Sequence, residues 1–177
     1  SSAASDVYKR QKISEAFSVR QDQIYAHVFG EHGDHSFIPW SMATINSIPL
    51  KMYVKSLTNP YAKEHEFSME AVEEYVRTSG AQIISRKGVT NYGIAASVTR
   101  ICRCLFSRKE TILTVSTLLN GEYGIKDVAM STMSVVGCNG IMTNIAPPLA
   151  DNEVEELYEA GKVLKDVIKQ VLENNYY

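Results

Sequence analysis

The sequence predicts an α+β fold, in which antiparallel strands pack with long helices. Three observations predict it. Residues 111–145 hold three β-rich runs separated by Asn-Gly turn signals. Apolar residues recur at helical spacing between residues 68 and 105, and again between 152 and 171. The helices are grouped around the hairpins, and no glycine-rich turn joins a strand to a helix in the manner of a dinucleotide site. At 177 residues, with 45% hydrophobic and 21% charged residues, the chain suits one domain that buries a real core without disulfides or metal. Its 18 basic and 20 acidic groups give a net charge of −2. That balance carries no electrostatic footprint for nucleic acid. No apolar run is long enough to span a membrane. Three cysteines argue against a disulfide framework and for a reducing compartment such as the cytoplasm.

The elements follow in chain order. Ser1–Gln11, SSAASDVYKRQ, has no apolar core of a secretory signal and does not share the periodicity that starts at Ile13. It coincides with the translation of a transposon-type sequencing adapter. We therefore expect residues 1–11 to be foreign and residues 12–177 to be the domain, with natural upstream sequence lost. Lys12–Phe17 is the expected end of a helix. Ile24–Phe29 alternates weakly and suits a short strand, which enters the polar turn Gly30–Asp34. Phe37–Leu50, with Pro39 and Pro49, suits extended segments, and Thr58–Phe67 suits a loop. Ser68 is a candidate N-cap, with Glu70 and Glu73 near the positive end of the helix dipole. Val72, Val76, Ser79 and Ile83 share one face, and Lys87-Gly88 is a stop. Ile94, Val98, Ile101 and Leu105 define a second helix. Thr111–Leu119, Val128–Val136 and Ile141–Ile145 are the three strands, turned at Asn120-Gly121 and Cys138-Asn139-Gly140. Pro147-Pro148 precedes a last helix. Asn152 with Glu155 is its candidate capping box, and Val154, Leu157, Leu164, Ile168 and Val171 are its stripe.

One local feature invites chemistry. His32 sits in Gly30-Glu31-His32-Gly33-Asp34, between two glycines that add no side-chain bulk. Glycine lets backbone approach a ligand closely and leaves the imidazole free to project into a cleft. Imidazole donates and accepts protons near neutral pH, and Glu31 and Asp34 are placed to raise its pKa. A surface histidine in a polar loop is the bland alternative. A metal site is not expected. His32 and His35 lack a third ligand, His27 and His65 are elsewhere, and Cys102-x-Cys104 points two ways on a helix.

The string from Val28 to Ser41, VFGEHGDHSFIPWS, resembles the active-site histidine motif of NAD-dependent L-lactate dehydrogenases. Three further segments agree in order: Lys87–Ile94 (KGVTNYGI), Leu119–Ile125 (LNGEYGI) and Gly137–Ile141 (GCNGI). The resemblance extends over Lys12–Gln170. It implies the lactate dehydrogenase C-terminal fold, of bacterial type, with the Rossmann cofactor domain absent. It implies that His32 is the acid/base that protonates the keto oxygen of pyruvate, that Thr90 lines the substrate pocket, and that Ile94 packs on the nicotinamide side of NAD. It also implies a homodimer or homotetramer in the full-length enzyme.

The departures from the family pattern are specific. The family's spacing places an orienting Asp at Ser5 and a carboxylate-clamping Arg at Tyr8, and neither residue is present. The chain alone is therefore expected to be inactive. Many bacterial members bind fructose 1,6-bisphosphate through a His at the position of Tyr25, so activation by that ligand is not expected. Another 2-hydroxyacid dehydrogenase, acting on 2-hydroxyisocaproate or malate, keeps the chemistry and changes the substrate. A non-catalytic assembly fragment, prone to self-association, is the reading from another functional class.

Overall fold

The computed structural model describes residues 2–57 and 67–174, with side chains for 8–57 and 67–173. The loop expected at Thr58–Phe67 lies outside the described residues except for Phe67, as does His65. The chain divides into two compact units. The first holds Ala3–His27 and Ile38–Ser97, the second Val28–Phe37 and Val98–Tyr177.

The first unit opens with α1, Ser2–Phe17. The helix expected to end over Lys12–Phe17 runs from Ser2 without a break. Ser2–Gln11 contains no glycine or proline to stop it. Lys9, Ile13 and Phe17, four apart, are all buried, so one face carries through. β1 (Ile24–Tyr25), β4 (Thr44–Ile45) and β5 (Ile48–Pro49) form a small antiparallel sheet in the order β1-β4-β5. Asn46 and Ser47, at φ 47° and 67°, make the two-residue turn whose twist suits a tight hairpin. α2 (Leu50–Ser56) follows.

α3 (Met69–Lys87) begins as expected: the Ser68 hydroxyl accepts the Ala71 N–H at 3.1 Å. Val72, Val76 and Ser79 are its buried residues. It ends at Gly88, whose φ of 76° suits glycine and whose N–H donates to the Ile84 carbonyl at 2.7 Å. The Trp40 indole donates to Glu73 Oε1 at 2.6 Å, a tie that no sequence pattern announced. α4 (Tyr92–Leu105) starts in this unit and ends in the other.

The second unit is built on β7 (Lys126–Gly137). β6 (Thr111–Asn120) pairs with it along nearly its whole length, β8 (Gly140–Ile145) with residues 133–137, and β2 (Phe29–Gly30) at Ser131. β3 (Ser36–Phe37) closes a hairpin with β2. The three strands expected between 111 and 145 are thus present and antiparallel. The single strand expected over Ile24–Phe29 is not. Its first two residues join one sheet, its last joins the other, and Ala26–Val28 cross between them.

Asn144 braces the sheet. Its Oδ1 accepts from Thr117 and Ser134 at 2.9 and 3.0 Å, while its Nδ2 donates to Glu122 Oε1 at 3.0 Å and to the Leu118 carbonyl at 3.3 Å. α5 (Asp151–Asn174) contributes buried Leu157, Ala160 and Gly161. A methyl group added at Gly161 would lie 3.0 Å from the Ile125 side chain. The capping box is shifted from Asn152/Glu155: Glu153 Oε2 accepts the Ala150 N–H at 3.0 Å. The helix starts at Asp151, so Glu153 holds the third helical position that reaches back. Leu157 lies in the core and Val154 and Leu164 are half-buried, but Ile168 and Val171 are exposed. On α4, Ile101 and Leu105 pack on Cys104, Leu113 and Val136, whereas Ile94 and Val98 are exposed.

Candidate active site

His32 sits in the connection between β2 and β3. Two pairs set the hairpin stem: Phe29 opposite Phe37 and Gly30 opposite Ser36. The two phenyl rings meet edge to face with centroids 6.4 Å apart. Gly30 adopts φ 96°, and a Cβ there would lie 2.5 Å from the His35 carbonyl oxygen. Both facts demand glycine. The loop then holds itself. The Ser36 N–H donates to the Gly33 carbonyl at 3.2 Å, and the His35 N–H to Glu31 Oε1 at 3.3 Å.

That last bond decides what the sequence left open about the two neighbouring carboxylates. Glu31 serves the loop backbone, and neither Glu31 nor Asp34 pairs with His32. The imidazole is exposed and, among the described residues, has no hydrogen-bond partner. It stands at the tip of a braced hairpin.

Thr90 and Ile94 belong to the first unit. Thr90 is half-buried in the connection from α3 to α4. The Ala95 N–H donates to the Asn91 carbonyl at 2.9 Å, so Asn91 stands at the start of α4. Ile94 is 53% exposed, a large apolar side chain on the first turn of a helix. Tyr92 beside it is exposed, and the Lys87 ammonium stands 5.9 Å from its ring centroid. The structure therefore brings Thr90 and Ile94 to one helix entry, and places His32 in the other unit.

The remaining candidates have plain positions. Tyr25 is exposed on β1, opposite Thr44. Ser5 and Tyr8 both lie on α1, with Tyr8 half-buried. Cys102 is exposed and Cys104 buried, as expected for i and i+2 on a helix, and Cys138 is exposed after β7. Among the described residues no three His, Cys, Asp or Glu side chains are grouped to hold a metal ion. No helix among them is long and apolar enough to cross a membrane.

The family model of the lactate/malate dehydrogenase alpha/beta C-terminal domain matches residues 7–175. The chain belongs to the lactate/malate dehydrogenase family. L-lactate dehydrogenase of Acetivibrio thermocellus is 36% identical over 160 residues, which are 90% of this chain and 50% of that protein. Among solved structures, a lactate dehydrogenase from a Medee basin deep-sea metagenome library superposes with a TM-score of 0.84 at 28% identity. It covers 93% of this chain and 52% of its own. Malate dehydrogenase from Aeropyrum pernix gives a TM-score of 0.82 at 25% identity, covering 96% and 54%. The chain spans about half the length of the curated relatives it matches. For a lactate/malate dehydrogenase C-terminal domain, the α+β class and the antiparallel sheet are as expected from the sequence.

Proposed function

We propose that this chain is the C-terminal, substrate-binding half of an NAD-dependent L-lactate dehydrogenase, the enzyme that interconverts pyruvate and L-lactate. The observation that carries the proposal is His32 at the tip of a hairpin that only glycine at position 30 permits. The names of the relatives support the same reading.

In the proposed reaction the protonated His32 donates a hydrogen bond to the keto oxygen of pyruvate and then transfers that proton to it. In reverse, neutral His32 takes the hydroxyl proton of lactate. Thr90 lines the substrate pocket. Ile94 supplies an apolar wall that excludes water from the reacting carbon. NADH, when bound, supplies the hydride to that carbon. The residues present fit one end of the cofactor. Ile94 offers a face to the nicotinamide, whereas the described residues contain no glycine-rich strand-to-helix turn for the pyrophosphate. A cofactor domain of the full-length enzyme is proposed to supply it.

Ser5 and Tyr8 occupy the places of the orienting Asp and the carboxylate clamp. An unoriented histidine loses orders of magnitude in rate, so the chain alone is proposed to be inactive. We further propose that residues 1–11 derive from an adapter, that residues 12–177 are the natural domain, and that the natural gene restores both groups. The parent enzyme is proposed to be cytoplasmic, homodimeric or homotetrameric, and, because Tyr25 replaces the family's histidine, not activated by fructose 1,6-bisphosphate. Adapter-free long-read sequencing of the source DNA tests the first point. It is expected to show Asp and Arg codons where Ser5 and Tyr8 now stand.

The likeness to a malate dehydrogenase keeps the substrate question open to one experiment. Residues 12–177 are joined behind the N-terminal half of the Acetivibrio thermocellus enzyme, and NADH oxidation is followed with pyruvate, oxaloacetate and 2-ketoisocaproate. The highest kcat/KM is expected for pyruvate. A preference for oxaloacetate overturns the lactate reading, and activity unchanged by His32→Gln overturns the mechanism.

A further inference from the structure

The turn Gly30–Asp34 holds two glycines, and the structure gives them different tasks. Gly30 is required by its backbone and by the His35 carbonyl oxygen that lies against it. Gly33 has no such requirement. Its φ lies outside the left-handed region, so nothing in that angle calls for glycine. What its missing side chain leaves room for is a carboxylate. A Cβ at position 33 would lie 2.9 Å from Glu31 Oε1, 3.4 Å from Glu31 Cδ and 3.9 Å from Glu31 Cγ. Its three nearest atoms thus all belong to one side chain.

That side chain is Glu31, half-buried in a loop whose other members, His32–His35, are exposed. It folds back along the loop, over Gly33, and Oε1 accepts the His35 N–H at 3.3 Å. Side chain 31 and backbone 35 close a ring around His32, Gly33 and Asp34. Both glycines therefore yield to the backbone of His35. Gly30 makes way for its carbonyl oxygen, and Gly33 for the carboxylate that takes its N–H. The contact reaches the main chain and not the imidazole, so it acts on where His32 stands.

We propose that Glu31 is a positioning residue for His32: its carboxylate, seated against Gly33, closes the loop on the His35 N–H and so fixes the direction from which the imidazole meets substrate. The proposal rests on the assignment of His32 as the acid/base. A reacting group displaced by about 1 Å can lose about a hundredfold in rate, so a closed loop matters to an exposed proton carrier. The proposal also gives Gly33 a role that a purely electrostatic Glu31 would not need. A methyl group at position 33 should do the same damage as loss of the carboxylate.

Two measurements test it, and the first does not depend on catalysis. Amide hydrogen exchange in the full chain reads the His35 N–H directly. Glu31→Ala and Gly33→Ala are each expected to speed it by about threefold or more, the worth of one such bond. Glu31→Gln keeps an acceptor oxygen and is expected to keep most of the protection. Neither position adjoins that amide, so its intrinsic exchange rate is unaltered. The second measurement is kcat with pyruvate in the chimaeric enzyme described above. Glu31→Ala and Gly33→Ala are expected to lower it by about tenfold or more. Glu31→Gln is expected to recover most of the loss and to leave the acid limb of the pH profile in place. Urea unfolding checks that each variant stays folded. The proposal is overturned by His35 exchange that ignores both alanine variants, or by a Gly33→Ala enzyme as fast as its parent. A Glu31→Gln enzyme as slow as Glu31→Ala also overturns it, because the charge and not the bond is then the agent. Activity indifferent to His32→Gln overturns the acid/base assignment and the positioning with it, while the exchange rates still report on the ring.

Discussion

The β2–β3 hairpin and the α3–α4 corner hold their functional candidates in different ways. The hairpin is self-sufficient. Its cross-strand pairs, the glycine at Gly30 and the Glu31–His35 bond fix the backbone under His32. The corner ends α3 at the Gly88 cap and starts α4 at Asn91, yet it leaves Ile94 and Tyr92 largely in water. The difference teaches which half of the proposed hydride-transfer site this chain encodes by itself. Backbone geometry for the proposed proton carrier is a local property of a loop. The proposed apolar wall has no purpose until the cofactor ring is there, and its exposure costs the chain only solvation.

The largest expected effect breaks the hairpin's chemistry. In the chimaeric enzyme described above, His32→Gln is expected to lower kcat with pyruvate by about 10²–10⁴, the usual worth of a general acid. Ile94→Ala is expected to cost less and to act through exclusion of water, while leaving the pH profile in place. Steady-state kinetics across pH distinguishes the two. If Ile94→Ala shifts the acid limb as His32→Gln abolishes it, the two regions are not separate in function.

Next in size is the hairpin's backbone. Gly30→Ala faces both a φ of 96° and a carbonyl oxygen at 2.5 Å. It is expected to destabilise the chain by about 1–3 kcal/mol or more, measured by urea unfolding. Gly88→Ala at the corner has φ 76° but nothing within 4 Å of its Cβ, and about 1 kcal/mol is expected from backbone strain alone. Equal losses would show that the close approach at Gly30 relaxes freely. At the start of α3, Ser68→Ala removes the bond to the Ala71 N–H and is expected to cost about 1 kcal/mol.

What the residues announced follows from how local each feature is. The Ser68 cap, the Gly88 stop and the three strands of 111–145 are legible because each is decided by neighbours in the chain. Ile24–Phe29 misleads because its partners are distant: Ile45 for Ile24, Phe37 for Phe29 and Ser131 for Gly30. The capping box misleads by two positions because a Glu at the third helical residue reaches back to any N–H, here that of Ala150, whose own side chain cannot cap. The turn that carries His32 was legible from its glycines. The orientation of Glu31 was not, since either carboxylate satisfies the same spacing. Asn144 stood in an ordinary β run, and only the folded sheet gathers four partners around it.

The smallest expected effect concerns a turn outside both candidate regions, and it sharpens what self-sufficient means. Tyr123 sits between β6 and β7 at φ 53°, and its hydroxyl donates to the Pro147 carbonyl at 2.7 Å. Burial pushes its phenol up to about 12 from 10.0. Below pH 10 the phenol is protonated whether the chain is folded or not, so it adds no pH dependence. Between 10 and about 12 the unfolded chain loses this proton while the folded chain keeps it. The unfolded state gains from ionisation, and stability falls as pH rises through that window. Tyr123→Phe removes the ionisation and the bond together. The variant is expected to lose stability modestly at neutral pH and to show a shallower decline above pH 10. Urea unfolding of both proteins at matched pH measures this. Parallel declines would mean that the latch to Pro147 opens before the phenol ionises, and that this turn, unlike the hairpin under His32, does not hold itself.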